Sequence, residues 1–135
     1  MRILVLGGSG EVGHMLCKVF SQDFDVFTLL RKKNDLNSVN FFTNVLPESK
    51  CIFIDDIKDI KSIDAILRKI QPNIVINSIG VVKHRNSCKE DNLDTKIINS
   101  IFPHEILKLC TDRDIKLLHF STDCVFSGNQ GNYLE

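Results

Sequence analysis

The sequence lacks tryptophan and contains a single tyrosine, Tyr133, among 135 residues. It also lacks any apolar run near the ~20 residues that a membrane helix needs, and Ile3 to Leu6 is too short for a signal-peptide core. Lysine plus arginine (17) balance aspartate plus glutamate (17). This balance speaks against the broad basic surface of proteins that bind nucleic acid or anionic membranes. We therefore expect a cytoplasmic protein with neither kind of partner.

The five cysteines form no CxxC pair and no zinc-ligand spacing with histidine. An odd, scattered set indicates neither a disulfide framework nor a metal site, so most of them are expected to be small core residues. His14 and Lys18, one helical turn apart, are expected to lie on an ordinary helix surface. Hydrophobic residues at 43% and charged residues at 25% are typical of one globular domain, spanning residues 1–135.

Apolar runs alternate with helical stripes along the chain. The runs that predict buried strands are Arg2 to Leu6, Asp25 to Leu30, Cys51 to Ile54, Asn73 to Ile76 and Ile115 to Phe120. The stripes are Val12, Leu16, Val19 and Phe20, then Ile63, Ile66, Leu67 and Ile70, then Ile97, Ile98, Ile101, Leu107 and Cys110. Pro103 either kinks the last helix or starts its second half. The alternation predicts a parallel α/β sheet in the order 3-2-1-4-5, and Arg31 to Lys50 is expected to be a loop with at most one short helix.

A glycine-rich turn joins the first strand to the first helix. It satisfies GxxGxxG on Gly7, Gly10 and Gly13, and GxGxxG on Gly8, Gly10 and Gly13. Such a turn lets a pyrophosphate approach the backbone N–H groups at a helix N-terminus, which predicts a three-layer Rossmann-type domain. A structural turn without a ligand is the alternative. The residues expected to contact the dinucleotide here are Gly7, Gly10, Glu11, Val12 and Gly13.

The second strand ends in basic residues, Arg31 and Lys32, where an NAD enzyme would carry an acid for the ribose hydroxyls. Since basic groups pair with a 2′-phosphate, we expect NADP(H) to be preferred, with NAD(H) as the lesser cofactor. A solvated strand end is the alternative. Asp56 and Ile57 follow the third strand, where they could contact adenine, although Asp56 could equally cap a helix.

Two further stretches resemble a known family: Asn77-Ser78-Ile79-Gly80, and the segment from His119 to Gly128 that contains Ser121-Thr122-Asp123. With Asn99, Pro103 and the final residues Gly131 to Glu135, they make the chain similar to the N-terminal part of extended short-chain dehydrogenase/reductases. The similarity is greatest to the dTDP-4-dehydrorhamnose reductase branch. Members of that branch reduce the 4-keto group of a nucleotide-linked deoxysugar.

The resemblance implies specific roles. Thr122, with Ser121 as the fallback, would hydrogen-bond the substrate carbonyl or the catalytic tyrosine. Ser78, Ile79 and Gly80 would line the ribose and diphosphate of the cofactor. Asn99 would hold backbone geometry. Related dehydratases carry an Asp-Glu pair after the threonine, whereas this chain has Asp123-Cys124, so dehydration is disfavoured.

The family's proton donor is a tyrosine with a lysine four residues later. Tyr133 has no such partner, because that lysine would need position 137. We expect a cofactor-binding part that stops before the later strands and the sugar-binding segment, and that is inactive alone. Alternatives are an epimerase or another extended family member, and a regulatory nucleotide-binding subunit without turnover.

Three expectations concern the remaining polar groups and the sheet edge. Lys83-His84-Arg85 is expected to be a solvated loop, with contact to a substrate diphosphate as the alternative. His119 is expected to be a packed strand residue. Ile115 to Phe120 would leave an open edge, so we expect self-association there, or capping of that edge by Val125 to Glu135.

Overall fold

The computed structural model describes residues 1–31, 44–81 and 93–122. The strands are β1 (Arg2–Leu6), β2 (Asp25–Arg31), β3 (Cys51–Ile54), β4 (Ile74–Asn77) and β5 (Lys116–His119). The helices are α1 (Glu11–Phe20), α2 (Ile60–Ile70), α3 (Leu93–Lys96) and α4 (Phe102–Thr111), with a 3₁₀ turn at Glu48–Lys50 and a π-helix at Ile97–Ile101.

The strands form one parallel sheet in the order β3-β2-β1-β4-β5, which confirms the predicted topology. β1 lies at its centre, where Leu4 pairs with Phe27 of β2 and with Val75 of β4. Leu4, Val5 and Leu6 have no exposed surface. A strand covered on both faces needs apolar residues at consecutive positions, which explains the unbroken run in the sequence.

The core has two parts, one on each face of the sheet. Leu4, Leu6 and Val75 pack with residues of α2 and α4 on one face. Ile3, Val5 and Ile76 pack with Cys17 of α1 on the other. Side chains alternate along each strand, so neighbouring residues enter different layers. The result is the expected three-layer arrangement of helix, sheet and helix.

Three strands differ from the sequence prediction at their ends. β2 continues to Arg31, one residue beyond the predicted Leu30 and into the segment expected to be a loop. β4 begins at Ile74 rather than Asn73 and includes Asn77. Asn73, just before the strand, accepts a hydrogen bond at its Oδ1 from the Arg2 backbone N–H at 2.7 Å. β5 is shorter than Ile115 to Phe120 by one residue at each end. Asn73 and Phe120, just outside β4 and β5, still donate backbone hydrogen bonds to neighbouring strands. The prediction is therefore wrong only in where these two strands begin and end.

The predicted apolar stripe of α1 is only half correct, because Leu16 and Phe20 pack against the core of this face but Val12 and Val19 do not. Gly13 and Cys17 are buried, whereas Val12 and Val19 are 47% and 51% exposed. The reason is close approach: a Cβ at Gly13 would lie 2.2 Å from the Gly7 carbonyl oxygen, so only small residues fit between helix and sheet.

The stripe predicted before β5 is also only partly correct. Phe102, Ile106 and Cys110 are buried, while Ile101 and Leu107 are 53% and 49% exposed. A π-helix precedes α4, and its extra residue per turn rotates the apolar face relative to a regular helix. Pro103 lies in the first turn of α4, so it starts the second half of this helical segment.

Charged side chains join the helices at the amino edge of the sheet, where the strands begin. Arg113, after α4, donates hydrogen bonds to the Asp64 carboxylate of α2 and to the Leu109 carbonyl oxygen. Arg2 donates to Asp25 at 3.0 Å and to the Ile70 carbonyl oxygen at the end of α2. Within the three described ranges, no helix has the length and hydropathy needed to cross a membrane.

Candidate functional site

The glycine turn after β1 is tightly packed against the loop after β4. Gly7 has a φ of +90°, and a Cβ there would lie 2.8 Å from Ile79 Cγ1. A Cβ at Gly13 would meet Gly7 and would lie 2.8 Å from Ser78 Oγ. The fold itself therefore requires glycine at positions 7 and 13, with or without a ligand.

Gly10 and Gly80 are different, because no packing contact requires them. A Cβ at Gly10 would meet only the Gly7 carbonyl oxygen at 3.4 Å, and one at Gly80 only Asn99 Oδ1 at 3.8 Å. Both residues are exposed, and Gly10 has an ordinary extended backbone with a φ of −80°. No further atom of the described residues lies in the space above them. A Cβ at either position would project into this space, which we call the cradle. The cradle fits a pyrophosphate and ribose that approach from solvent.

Gly10 is also the N-cap of α1, and no side chain of the described residues caps this helix end. Glu11 and Val12 follow in the first turn, both exposed. α2 begins differently: the Asp59 carboxylate accepts a hydrogen bond from the Ser62 backbone N–H at 3.2 Å. The positive end of the α1 dipole thus faces the open side of the glycine turn, where an anion is favoured.

Arg31 is the last residue of β2 and is exposed, one strand away from the glycine turn. It pairs in register with Ile54 of β3. Its guanidinium is therefore available at the carboxyl edge of the sheet, where the strands end. The neighbouring Lys32 lies outside the described residues.

Asp56 and Ile57 occupy the turn between β3 and α2. Asp56 Oδ1 accepts a hydrogen bond from the Lys58 backbone N–H at 2.9 Å. The helix cap belongs to Asp59, so the alternative that Asp56 caps the helix is wrong. Ile57 is half-buried and packs against the core of the α2 face.

Lys58 was not singled out in the sequence, yet its Nζ joins two carboxylates. It lies 2.9 Å from Asp94 Oδ1 and 3.6 Å from Asp56 Oδ2. The hydrogen bond to Asp94, aided by the charge of Asp56, holds the pKa of Lys58 above its usual range. The turn after β3 is thereby tied to α3, whose position the strand pattern alone could not reveal.

The loop after β4 is held by side-chain hydrogen bonds. Ser78 Oγ donates to the Leu6 carbonyl oxygen at 2.8 Å, which joins the ends of β4 and β1. Asn99 Oδ1 accepts from the Val81 N–H, and Asn99 Nδ2 donates to the Val81 carbonyl oxygen, both at 2.8 Å. The expectation that Asn99 holds backbone geometry is confirmed. Its place in a π-helix agrees with the frequent use of π-turns at functional sites.

Ser121 and Thr122 lie just beyond β5, after Phe120, and both are exposed. They share the carboxyl edge with Gly10, Arg31 and Gly80, since parallel strands end on one side of the sheet. Residues 123–135, which include the rest of the Ser-Thr-Asp segment, lie outside the described residues. Lys83-His84-Arg85 lies outside them as well.

The expectation that His119 is a packed strand residue is wrong. The residue is exposed, and its Nδ1 lies 3.1 Å from Asn77 Nδ2. β5 is the last strand of the described sheet, so one side of His119 has no neighbouring strand among the described residues. In the sequence, Asn77 was named only as part of the family stretch and was given no role, although an asparagine at the end of an apolar strand is a recognisable signal of a buried, hydrogen-bonded amide.

A cleft of about 780 Å³ lies at the opposite, amino edge of the sheet. Its walls include Gln71, Arg113 and Lys116, and Arg113 is already bonded to Asp64 and Leu109. Open parallel sheets bind their ligands at the carboxyl ends of the strands. We therefore place the candidate site at the carboxyl edge. Among the residues in the described ranges, no three of histidine, cysteine, aspartate or glutamate come together as a metal site requires.

Residues 1–135 match the sequence profile of the RmlD substrate binding domain family. The chain belongs to that family. The match covers every residue of the sequence, including the glycine turn and the Ser-Thr-Asp segment.

One curated relative of this RmlD-family chain is a probable low-salt glycan biosynthesis reductase, Agl14, from Haloferax volcanii, which is 28% identical over 80 residues. Those residues make up 59% of this chain and 26% of the relative. A hypothetical dTDP-4-dehydrorhamnose reductase from Sulfolobus tokodaii matches the fold with a TM-score of 0.76 at 24% identity. The match covers 100% of this chain and 44% of that structure.

A dTDP-glucose 4,6-dehydratase from Bacillus anthracis, solved in complex with NAD, has a TM-score of 0.68 at 21% identity and covers 100% of this chain and 42% of that structure. Likenesses at this level of identity show the fold alone. The RmlD-family chain thus spans under half the length of the solved proteins it resembles, and a smaller share of the curated reductase.

Proposed function

We propose that this chain is the NADP(H)-binding part of a reductase that acts on the 4-keto group of a nucleotide-linked deoxysugar. The observation that carries the proposal is the open space over Gly10 and Gly80. Glycine at these positions is explained by no internal contact in the described structure, whereas a bound dinucleotide would explain both. Family membership supports a sugar-nucleotide reductase in particular.

The residues that would hold the cofactor lie along the carboxyl edge. Gly7, Gly10, Glu11, Val12 and Gly13 would surround the pyrophosphate at the start of α1. Ser78, Ile79 and Gly80 would line the ribose and diphosphate, and Asp56 with Ile57 would lie near the adenine. NAD is bound in solved proteins that share this fold, which supports a nicotinamide cofactor.

Preference for NADP(H) is proposed from the charge at the end of β2. The exposed guanidinium of Arg31 can form a bidentate, charge-assisted pair with a 2′-phosphate, to which Lys32 would add a second charge. Within β2 itself, no residue after Asp25 is acidic, so the carboxyl end of this strand offers no carboxylate to the ribose hydroxyls of NAD(H).

The cofactor would supply the hydride. This chain would bind the cofactor and orient it. Thr122, or Ser121 in its place, would donate a hydrogen bond to the substrate carbonyl and so favour negative charge on the carbonyl oxygen. The nucleotide-sugar substrate is proposed as the partner of the whole protein. The charge balance and cysteine pattern support a cytoplasmic location.

Titration calorimetry with NADPH and NADH tests the proposal. We expect NADPH to bind more tightly by about 1–3 kcal/mol, as one charge-assisted pair would provide. Arg31→Ala should remove most of that difference while leaving NADH binding nearly unchanged. Arg68→Ala is the matched control, because Arg68 is an exposed arginine at the other edge of the sheet.

Equal affinities for the two cofactors would overturn the NADP(H) preference. An Arg31→Ala protein with unchanged discrimination would show that Arg31 does not contact the 2′-phosphate. Absence of binding by either cofactor would contradict the proposed function itself.

A further inference from the structure

Asn77 ends β4 and has no exposed surface, so each polar atom of its side chain needs a partner within the protein. Its Oδ1 accepts a hydrogen bond from the Ile79 backbone N–H at 3.1 Å. Its Nδ2 lies 3.1 Å from His119 Nδ1. Its backbone carbonyl oxygen accepts from the Phe120 N–H at 3.0 Å. One residue thus bonds to the loop after β4 and to the end of β5.

By elimination, these contacts indicate which nitrogen of a neutral His119 imidazole carries the proton. The Ile79 N–H can only donate, so the amide atom facing it must be Oδ1. The other end of the amide is then the NH₂ group, which can only donate, and it faces His119 Nδ1. Nδ1 must therefore accept and carries no proton. A neutral imidazole with a bare Nδ1 carries its proton on Nε2.

The bonded groups lie next to residues of the candidate site. Ile79 precedes Gly80, and His119 comes two residues before Ser121. Asn77 and His119 are also partners in the β4–β5 register, so the two side chains stand on the same face of the sheet. The Asn77 amide is therefore shared by the two loops that would contact the cofactor and the substrate carbonyl.

We propose that Asn77 holds His119 as the neutral Nε2–H tautomer, and that this pair is a positioning device for the loops carrying Gly80 and Thr122. The part that concerns ligands rests on the proposed function. A proton on Nδ1 would place two donors against each other and break the bond. Neither residue needs to touch a reacting atom for this role.

Nitrogen NMR of the imidazole rings in the wild-type chain tests the tautomer without any ligand. We expect His119 to show an unprotonated Nδ1 and a protonated Nε2. In Asn77→Asp, a carboxylate oxygen replaces the NH₂ donor, so Nδ1 should become protonated. A wild-type His119 with a proton on Nδ1 would overturn the proposal.

Amide hydrogen exchange at Ile79 tests positioning, again without ligand. His119→Leu removes the acceptor for Asn77 Nδ2, which should speed exchange at Ile79 by about tenfold, as the loss of one such hydrogen bond implies. His119→Asn offers a carboxamide oxygen near the place of Nδ1 and should restore slow exchange. Unchanged exchange in His119→Leu would show that the pair does not position this loop.

Titration with NADPH tests the consequence for binding. His119→Leu should weaken NADPH binding by about tenfold, and His119→Asn should recover most of the affinity. Equal affinity in wild type and His119→Leu would refute the link to the ligand. If wild type fails to bind NADPH, the proposed function fails, while the tautomer and the Ile79 exchange still decide the positioning role.

Discussion

At Gly10, the space left by the missing side chain is filled by no atom of the described residues. At Gly13, the Gly7 backbone occupies the space that a side chain would need. The two glycines look identical in the motif, yet only one of them needs a ligand to explain it. Substitutions at the two positions should therefore fail in different ways.

We expect Gly10→Val to fold and to lose dinucleotide binding, because its branched side chain would fill the cradle at the start of α1. Gly13→Ala should instead lower the free energy of unfolding by about 1–3 kcal/mol, since its Cβ forces the backbone of Gly7 to move. Urea unfolding and calorimetry separate these effects. Gln22→Val, at the other end of α1, is the control. A Gly10→Val protein that still binds NADPH would place the ligand elsewhere.

Buried thiols give a second test at the residue scale. Burial raises the pKa of Cys17 and of Cys110 to about 11. Since the thiolate is the reactive form, both should resist alkylation by iodoacetamide in the folded chain and react after unfolding. Peptide mass spectrometry reads each site separately. Rapid alkylation of folded Cys17 at neutral pH would contradict the packing of α1.

The raised pKa values of Cys17 and Cys110 also predict how the stability of the fold changes at alkaline pH. A thiol whose folded pKa lies above the unfolded value stabilises the fold while both states are protonated, and this contribution is lost as pH rises. We expect stability to fall between about pH 9 and 11, the unfolded and folded values for these thiols. Denaturant midpoints measured across that interval check the direction. Cys17→Ala should show a weaker dependence.

At the scale of elements, the Asp64 carboxylate of α2 bonds to two arginines: Arg113, just after α4, and Arg68, one turn further along α2 itself. Asp64 bonds to Arg113, whose side chain is 20% exposed, and to Arg68 at 2.9 Å, whose side chain is 69% exposed. Arg113→Ala should cost about 1–2 kcal/mol of stability, because it removes a half-buried, charge-assisted bond between helices. Arg68→Ala should cost at most about 0.5 kcal/mol, as exposed pairs do. If the two variants lose equal free energy of unfolding in urea, solvent exposure does not determine how much each ion pair contributes to stability.

The strands were predictable because a parallel sheet buried on both faces needs unbroken apolar runs, and β1 and β3 have the predicted bounds. β4 was misplaced by one residue because a polar Asn77 is buried through hydrogen bonds that no local pattern reveals. The α1 stripe was correct for Leu16 and Phe20 but wrong for Val12 and Val19, because close packing against the sheet buries Gly13 and Cys17 instead. Local hydrophobicity cannot anticipate a contact between residues that meet only in the folded chain.

The candidate site, like the fold, was predictable from the sequence only in part. The glycine motif and the strand ends indicated which edge of the sheet carries the chemistry. The sequence could not separate Gly13, required by packing, from Gly10, which is open. The partner of His119 was also hidden, because Asn77 meets it only in the folded sheet. The ion pair of Lys58 with Asp94 was hidden for the same reason.

For the whole molecule, β5 is the last strand of the described sheet and leaves apolar side chains in solvent. Leu118 and Phe120 are 49% and 44% exposed. Leu118 pairs with Ile76, which lies in the core of the α1 face, so Leu118 is on that face too. An apolar strand edge is a template for another chain. Val125 to Glu135, the alternative cover, lies outside the described residues.

We expect the isolated 135-residue chain to self-associate through β5, as light scattering at increasing concentration would detect. Leu118→Lys should reduce the association, because charged side chains discourage strand pairing. Leu107→Lys is a matched control, since Leu107 on α4 is also 49% exposed. A monodisperse wild type whose β5 amides exchange freely would contradict this expectation.

The central place of β1 also has a consequence for how the chain folds during synthesis. Ile3 pairs with Val26 on one side but with Ile74 on the other, 71 positions later. Closing so long a loop is entropically costly, and each doubling of loop length adds about 0.6 kcal/mol. One edge of β1, with the wholly apolar Leu4 to Leu6, therefore stays unpaired until β4 has left the ribosome. During that interval the open edge can pair with the wrong strand, since unpaired strand edges make partly folded chains prone to aggregation.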